Sequence, residues 1–240
     1  MDLRTFSTPS MTCSGRASRF GVRKRWNFSS GSAEQGNALI TYVTRVAMEA
    51  EAPGVYALLP AQIRDRLPDD AWASPKNAMI FRATFSAMPR LVDELFARLD
   101  YTDHTQWPMW KLVAAFYLIE SRIGQSTVRQ AGEMIYSTML WPSQVRSVAD
   151  ALRHINTAYF ESHLRAPASL VGCWRVEEES PSRMVVTDDT PYPCHVNEGV
   201  VAGICRAFSH QRPVYRILDS KWAKRAGGTV TRYQVDFLPL

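Results

Sequence analysis

The sequence predicts an α+β fold, in which a helical N-terminal half packs on a C-terminal antiparallel sheet with the element order β-β-α-β-β. In the N-terminal half, apolar residues recur every three or four positions, which is typical of amphipathic helices. Beyond Pro167 they alternate, which is typical of strands. With 240 residues, 46% of them hydrophobic, the chain is long enough to bury a sizeable core.

The first 34 residues differ in composition from the rest. They contain six Arg and Lys residues against Asp2 and Glu34, a balance of +4 out of the net charge of +5. A segment rich in Arg and Ser and poor in acids is typical of a disordered tail, of an organelle transit peptide or of an unstructured bacterial extension. We predict a disordered basic tail over residues 1–34 and one domain over 35–240, with a helical half (35–166) and a sheet half (167–240).

Composition also limits the function classes. Basic residues confined to a tail disfavour a folded nucleic-acid-binding face. The sequence has no apolar run long enough for a membrane span and no secretory signal, so we expect a cytoplasmic protein without a membrane span. Its four cysteines, Cys13, Cys173, Cys194 and Cys205, are too few for a disulfide framework and are expected to be reduced.

Seven helices are predicted before Pro167. Ser74 and Pro75 supply an N-cap and a first-turn proline for one of them. The segment 109–119 is apolar on nearly every side, which predicts a central helix surrounded by others. The regular spacing from Val145 to Tyr159 predicts one long helix over 143–163. The remaining helices are expected over 37–50, 61–67, 91–99 and 126–140.

The second half begins with strands at 171–176 and 183–187 and ends with strands at 214–218 and 230–237. Between the two pairs, Pro191 and Pro193 predict a rigid corner that leads into a helix over 196–208. Gly199 and Gly203 lie on one face of that helix, which indicates a close approach of its backbone to another part of the molecule. Two alternatives would explain why both glycines lie on this face, namely packing of the helix on the sheet and contact with a ligand.

The segment 190–204, TPYPCHVNEGVVAGI, resembles the 4-vinyl-reductase-like sensory domains, a superfamily related in fold to haem nitric-oxide-binding domains. Residues 156–163 resemble the helix end that leads into the family's sheet, and residues 227–233 resemble its closing hairpin strand. The resemblance covers about residues 124–237, and the helical half matches only in layout. It implies a domain that encloses a small, often apolar molecule between helices and sheet and signals its occupancy to a partner protein.

The resemblance also bears on cofactors. Many relatives carry additional cysteines in the closing hairpin, and some use them for a metal, but Thr231 stands where such a cysteine would be expected. The haem-binding branch has a Tyr-x-Ser-x-Arg signature, and the nearest string here, from Tyr117 to Arg122, has a different spacing. We therefore predict no cofactor, and neither haem nor zinc is expected.

The residues that could carry chemistry each have a simpler explanation. Cys194 beside His195 at a helix start could be an activated thiol, or a small side chain that fills the strand–helix junction. A metal site formed by Cys194, His195 and Cys205 would lack a fourth ligand. His154 and His163 are expected to be surface or capping residues. The sequence contains no phosphate-binding, dinucleotide, zinc-protease or nucleophile-elbow motif, so no enzyme activity is predicted.

These observations predict a non-catalytic domain that senses or binds a small apolar molecule between helices and sheet and acts through a partner protein or a homodimer. The ligand contacts are expected from Tyr192, Cys194, Val196 and Val200 on one side and from Trp110, Phe116 and Tyr117 on the other. Two alternatives remain open. One is an assembly scaffold whose pocket is closed, and the other is an accessory subunit or enzyme that acts on a tetrapyrrole-like substrate.

Overall fold

The computed structural model of this protein describes residues 54–238, except 55, 65, 68–70, 102–105 and 219–227. The predicted tail and the predicted helix over 37–50 lie outside the described residues. Within the described part, the helical half comes first and the sheet half second, and the α+β class is confirmed.

Six α-helices are described in the helical half, preceded by a 3₁₀ turn at Tyr56–Leu58. The helices are α1 (Ala61–Arg64), α2 (Pro75–Thr84), α3 (Pro89–Arg98), α4 (Met109–Ile123), α5 (Gln125–Ser137) and α6 (Val148–Ser162). Ser74 caps α2 as predicted, because its hydroxyl accepts a hydrogen bond from the Lys76 backbone N–H at 3.2 Å. Helix α4 is buried from Met109 to Phe116 without a break, in agreement with its role as the central helix.

Helix α6 begins later than its apolar period predicts. The Ser147 hydroxyl accepts from the Asp150 backbone N–H at 3.0 Å and so caps the helix at that point. The Val148 backbone N–H, which has no partner within the helix, donates to the Gln211 side chain at 2.7 Å. Val145 therefore lies in the preceding turn, although its side chain is buried with the same core.

A small antiparallel sheet, which the sequence does not predict, holds three parts of the helical half together. Its strands are β1 (Trp72–Ala73), β2 (Trp107–Pro108) and β3 (His163–Leu164), in the order β2-β1-β3. Two residues are too few to show an alternating pattern. The sheet places His163, at the end of α6, beside the segment that leads into α2.

The sheet half follows the order β-β-α-β-β after a short helix α7 (Ala168–Val171). Its elements are β4 (Trp174–Ser180), β5 (Arg183–Asp188), α8 (Cys194–Ala207), a 3₁₀ turn (Ser209–Gln211), β6 (Val214–Ile217) and β7 (Thr231–Asp236). The strands form one antiparallel sheet in the order β4-β5-β7-β6. Strand β4 starts later than predicted because Gly172, with φ of +71°, turns the chain after α7.

Helices α5 and α8 pack backbone against backbone through three glycines. A Cβ atom on Gly199 would lie 2.0 Å from the Arg129 carbonyl oxygen, and one on Gly132 would lie 2.1 Å from the Val196 carbonyl oxygen. A Cβ atom on Gly203 would lie 2.5 Å from the carbonyl oxygen of Glu133, which also belongs to α5. The close approach inferred from Gly199 and Gly203 is thus present, but it is made to a neighbouring helix, rather than to the sheet or to a ligand.

One continuous hydrophobic core joins the two halves, and it includes residues of α4 and α6 as well as strands β5 and β7. Among the helices that the structure describes, none has both the length and the apolar character needed to cross a bilayer.

Candidate functional site

A cavity of about 130 Å³ lies where the helical half meets α8. It is lined by residues of α2, α4, α5 and α6, by Trp174 of β4, by Tyr192 of the corner and by the first two turns of α8. No charged side chain is among its lining residues, and most of the lining is aliphatic or aromatic. A lining of this kind suits an uncharged, largely apolar ligand, since desolvating a charge here would be costly.

Four of the seven residues predicted to contact a ligand line this cavity, namely Tyr192, Val196, Val200 and Phe116. They come from α4 on one side and from the corner and α8 on the other. The predicted residues therefore cover the α4 side and the α8 side of the cavity. They include none of the lining residues from α2, α5 and α6.

The structure places the other three predicted contacts, Trp110, Tyr117 and Cys194, away from the lining. Trp110 packs edge-on against Tyr56, with ring centroids 5.6 Å apart, because it lies on another side of α4 from Phe116. The Cys194 thiol accepts from the Thr231 hydroxyl at 3.8 Å, towards strand β7. Tyr117 is half-buried outside the lining, and burial, together with the charges of Glu120 and Asp188, raises its pKa.

His163, which is predicted to be a surface or capping residue, follows α6 as its C-cap but is also part of the cavity wall. His163 is buried and lies between two hydrogen-bonding groups. Its Nδ1 is 2.5 Å from the Tyr159 carbonyl oxygen and its Nε2 is 2.6 Å from the Tyr192 hydroxyl. A single histidine at a helix end gives no sequence signal for burial, and the small sheet that buries it is itself not predictable.

The protonation of His163 follows from these neighbours. A carbonyl oxygen only accepts, so Nδ1 carries the proton and donates it to Tyr159. Nε2 then accepts from the Tyr192 hydroxyl. Burial lowers the pKa of His163 to about 4, partly offset by the hydrogen bond to Tyr159. The imidazole is therefore neutral at neutral pH, with its tautomer fixed by the fold.

A buried carboxylate holds the corner rigid. Asp188, at the end of β5, accepts from the backbone N–H and the hydroxyl of Thr190, both at 2.8 Å, and from the Asn197 amide at 2.6 Å. These bonds connect the last residue of the strand to the corner and to the first turn of α8. Tyr192 lies between the two anchored points, so its side chain is held in the cavity wall before any ligand binds.

The polar pair formed by His195 and Glu120 lies outside the cavity lining. The His195 Nδ1 is 2.5 Å from a Glu120 carboxylate oxygen, and both side chains are mostly buried. Burial raises the pKa of the Cys205 thiol to about 12, which makes that thiol inert. In the described part of the chain, no three His, Cys, Asp or Glu side chains are grouped so that they could hold a metal ion.

Comparison with known proteins gives a likeness in fold alone. No family model and no curated protein matches the chain. Among solved structures, a variant of Tt H-NOX is 10% identical with a TM-score of 0.50, and the match covers 68% of this chain and 93% of that one. An H-NOX protein from S. oneidensis in the Fe(II)NO ligation state is 12% identical, with a TM-score of 0.46 and coverage of 67% and 98%.

A third similar structure corrects the cofactor expectation. It is described by the words "Modulating Heme Redox Potential Through Protein-Induced Porphyrin Distortion", and it is 11% identical with a TM-score of 0.47, covering 67% of this chain and 96% of that one. The expectation of no cofactor, with haem excluded because the Tyr-x-Ser-x-Arg spacing is missing, is contradicted by such neighbours. The spacing of one signature in a chain this divergent is too weak a reason to exclude a ligand. The described part of this chain has an H-NOX-like fold.

Proposed function

We propose that this protein is a non-catalytic sensory domain that binds a small molecule in the cavity between the helical half and α8. The observation that carries the proposal is the cavity itself, which is mostly apolar and bordered by a rigid corner. Its volume of about 130 Å³ is close to that of an engineered apolar cavity of ~150 Å³ in another protein that binds benzene or xenon. A ligand of about that size, uncharged and mainly apolar, fits this space.

The mouth of the cavity lies between α2 and the end of α5. Ile80 is 37% exposed, and Asn77 and Met139 are half-buried, while the residues on the α8 side are buried. A ligand enters past these three side chains without disturbing the corner.

Haem is the second candidate ligand, and His163 is the observation that favours it. Histidines that bind metals usually donate their other ring N–H to a carbonyl or carboxylate, which is what His163 does towards Tyr159. The neutral Nε2 of His163 is the atom that would bind the iron. Bound haem would supply a binding position for a diatomic gas. His163 therefore suits haem, but a cavity of about 130 Å³ is too small for a porphyrin. Haem binding would require the cavity to widen and the hydrogen bond between His163 and Tyr192 to break.

The resemblance of the corner to 4-vinyl-reductase-like domains supports the same function, since those domains enclose small molecules and act on partners. We propose the same output here, through a partner protein in the cytoplasm.

The test is to purify the full chain and measure its absorption spectrum, its native mass and its thermal unfolding with and without toluene. An apolar ligand site predicts that toluene raises the melting temperature of the colourless protein, since a ligand that binds only the folded state stabilises it. A haem site predicts a Soret absorption band after reconstitution, which His163→Ala abolishes. If toluene has no effect and no chromophore or small molecule accompanies the protein, the sensory function is overturned in favour of a scaffold.

A matched pair of variants locates the ligand. Ala158 lines the cavity, and Ala158→Leu should fill part of it and remove the toluene effect. Ala97 is exposed on α3, and Ala97→Leu should leave the effect unchanged. Equal responses of the two variants would place toluene outside the cavity.

A further inference from the structure

Tyr136 lines the same cavity as Tyr192. It lies in the last turns of α5, and its ring packs near Trp141 with centroids 6.2 Å apart. The position of its main chain is fixed by α8, because a Cβ atom on Gly203 would lie 3.0 Å from the Tyr136 Cβ. Tyr136 therefore lines the cavity from a closely packed helix pair.

The Tyr136 hydroxyl has no hydrogen-bond partner among the residues that the structure describes, unlike the other tyrosines around it. Tyr159 donates to the Val171 carbonyl at 2.8 Å, and Tyr192 is bonded to His163. Tyr215, on strand β6 and outside the cavity lining, is bonded to Arg129 at 2.7 Å. Tyr136 is half-buried, and a phenol hydroxyl whose proton no protein group accepts can donate that proton to whatever occupies the cavity.

The protonation state of Tyr136 decides what it can offer. Burial raises its pKa to about 12, so the hydroxyl keeps its proton at neutral pH. The pKa of Tyr192, which lines the same cavity, is raised mainly by burial and further by Tyr136. Because Tyr192 already gives its proton to His163, the Tyr136 proton is the one available to a ligand.

We propose that Tyr136 donates a hydrogen bond to the bound ligand, so that the cavity recognises a small, uncharged, apolar molecule that carries one hydrogen-bond acceptor. This inference rests on the proposed binding function and adds the ligand's chemical class. A pure hydrocarbon of the same shape would fill the apolar walls but leave the hydroxyl unpaired.

The test compares two probes of similar shape, toluene and benzonitrile, of which only benzonitrile has an acceptor. The two differ in hydrophobicity, so the informative quantity is how the ratio of their dissociation constants changes with the protein. Tyr136→Phe should weaken benzonitrile binding about three- to tenfold, the usual effect of one hydrogen bond, and leave toluene binding unchanged. Tyr215→Phe, which removes a hydroxyl outside the cavity, should leave both unchanged.

The nitrile stretching band of bound benzonitrile gives a second readout. It should show a hydrogen-bonded frequency in the natural protein and in Tyr215→Phe, and the frequency of a non-bonded nitrile in Tyr136→Phe. If toluene binds but Tyr136→Phe weakens both probes equally or shifts no band, the role of Tyr136 is overturned while the binding function stands. If neither probe binds the natural protein, the apolar-ligand function fails and this inference fails with it.

Discussion

At the scale of single residues, the site combines groups that sequence patterns reveal with groups that they hide. Tyr192 and Val196 could be predicted because two prolines and a helix start mark the corner. His163 and Tyr136 could not, because neither the burial of a lone histidine nor the missing partner of a tyrosine is visible before the neighbouring elements are in place. Each depends on contacts made by residues far away in the chain.

The burial of His163 predicts a pH dependence of stability. Its pKa is about 4 in the folded protein and about 6.5 in the unfolded chain, so the unfolded state takes up the proton first as the pH falls. The stabilisation is complete above about pH 6.5 and decreases towards pH 4, with a total loss of about 3 kcal/mol. Urea unfolding measured from pH 7 to pH 4 should show this loss.

Two variants separate His163 from other groups in that experiment. His163→Gln cannot titrate, so its stability should vary much less between pH 6.5 and pH 4, although it is lower throughout. His210 is exposed, and His210→Gln should keep the full slope of the natural protein. A slope that is the same in all three proteins would contradict the neutral, buried state of His163.

At the scale of elements, apolar periods indicate which face of a helix is buried but not what it meets. The face of α8 that carries Gly199 and Gly203 could be identified from their spacing. Its partner, α5, is recognisable only when Gly132 is seen to lie opposite, and Gly132 precedes Gly199 by 67 positions in the chain. For a related reason, the apolar period predicts a start of α6 at residue 143, which is too early. The period continues through Val145, but the hydrogen bond from the Asp150 N–H to Ser147 sets the helix start.

The backbone contact between α5 and α8 predicts an unusual sign for one substitution. In a free helix, Gly→Ala stabilises by about 1 kcal/mol. Gly199→Ala should instead destabilise the protein by about 2 kcal/mol or more, because the new methyl group would overlap the Arg129 carbonyl and force the helices apart. Urea unfolding measures the difference. Gln130→Ala, on the exposed side of α5, serves as the control and should change stability by less than about 0.5 kcal/mol.

At the scale of the whole molecule, the α+β class and the order of the sheet half follow from the change in apolar period at Pro167. The small sheet does not, because strands of two residues carry no period. The cavity could be placed only roughly, since its third wall comes from α2, α5 and α6. Whether a pocket stays open depends on the packing of all these elements together, which local sequence does not encode.

The shared core predicts that the two halves unfold together. Buried residues of α4, α6, β5 and β7 belong to one continuous cluster, so neither half retains a core of its own when the other is lost. We expect one cooperative thermal transition, with circular dichroism of the helices and tryptophan fluorescence giving the same midpoint. Two separate transitions would show that residues 35–166 and 167–240 are independent domains.

The glycine contact has a consequence for signalling. Helices usually slide on a layer of side chains that absorbs small displacements, but α5 and α8 touch with only main-chain atoms between them at Gly132 and Gly199. A ligand that displaces α5 by a fraction of an ångström must therefore carry α8 with it. Two ion pairs, Arg129–Glu198 and Glu133–Arg206, join the two helices, so these side chains would move as one body and display the occupied state to whatever docks there.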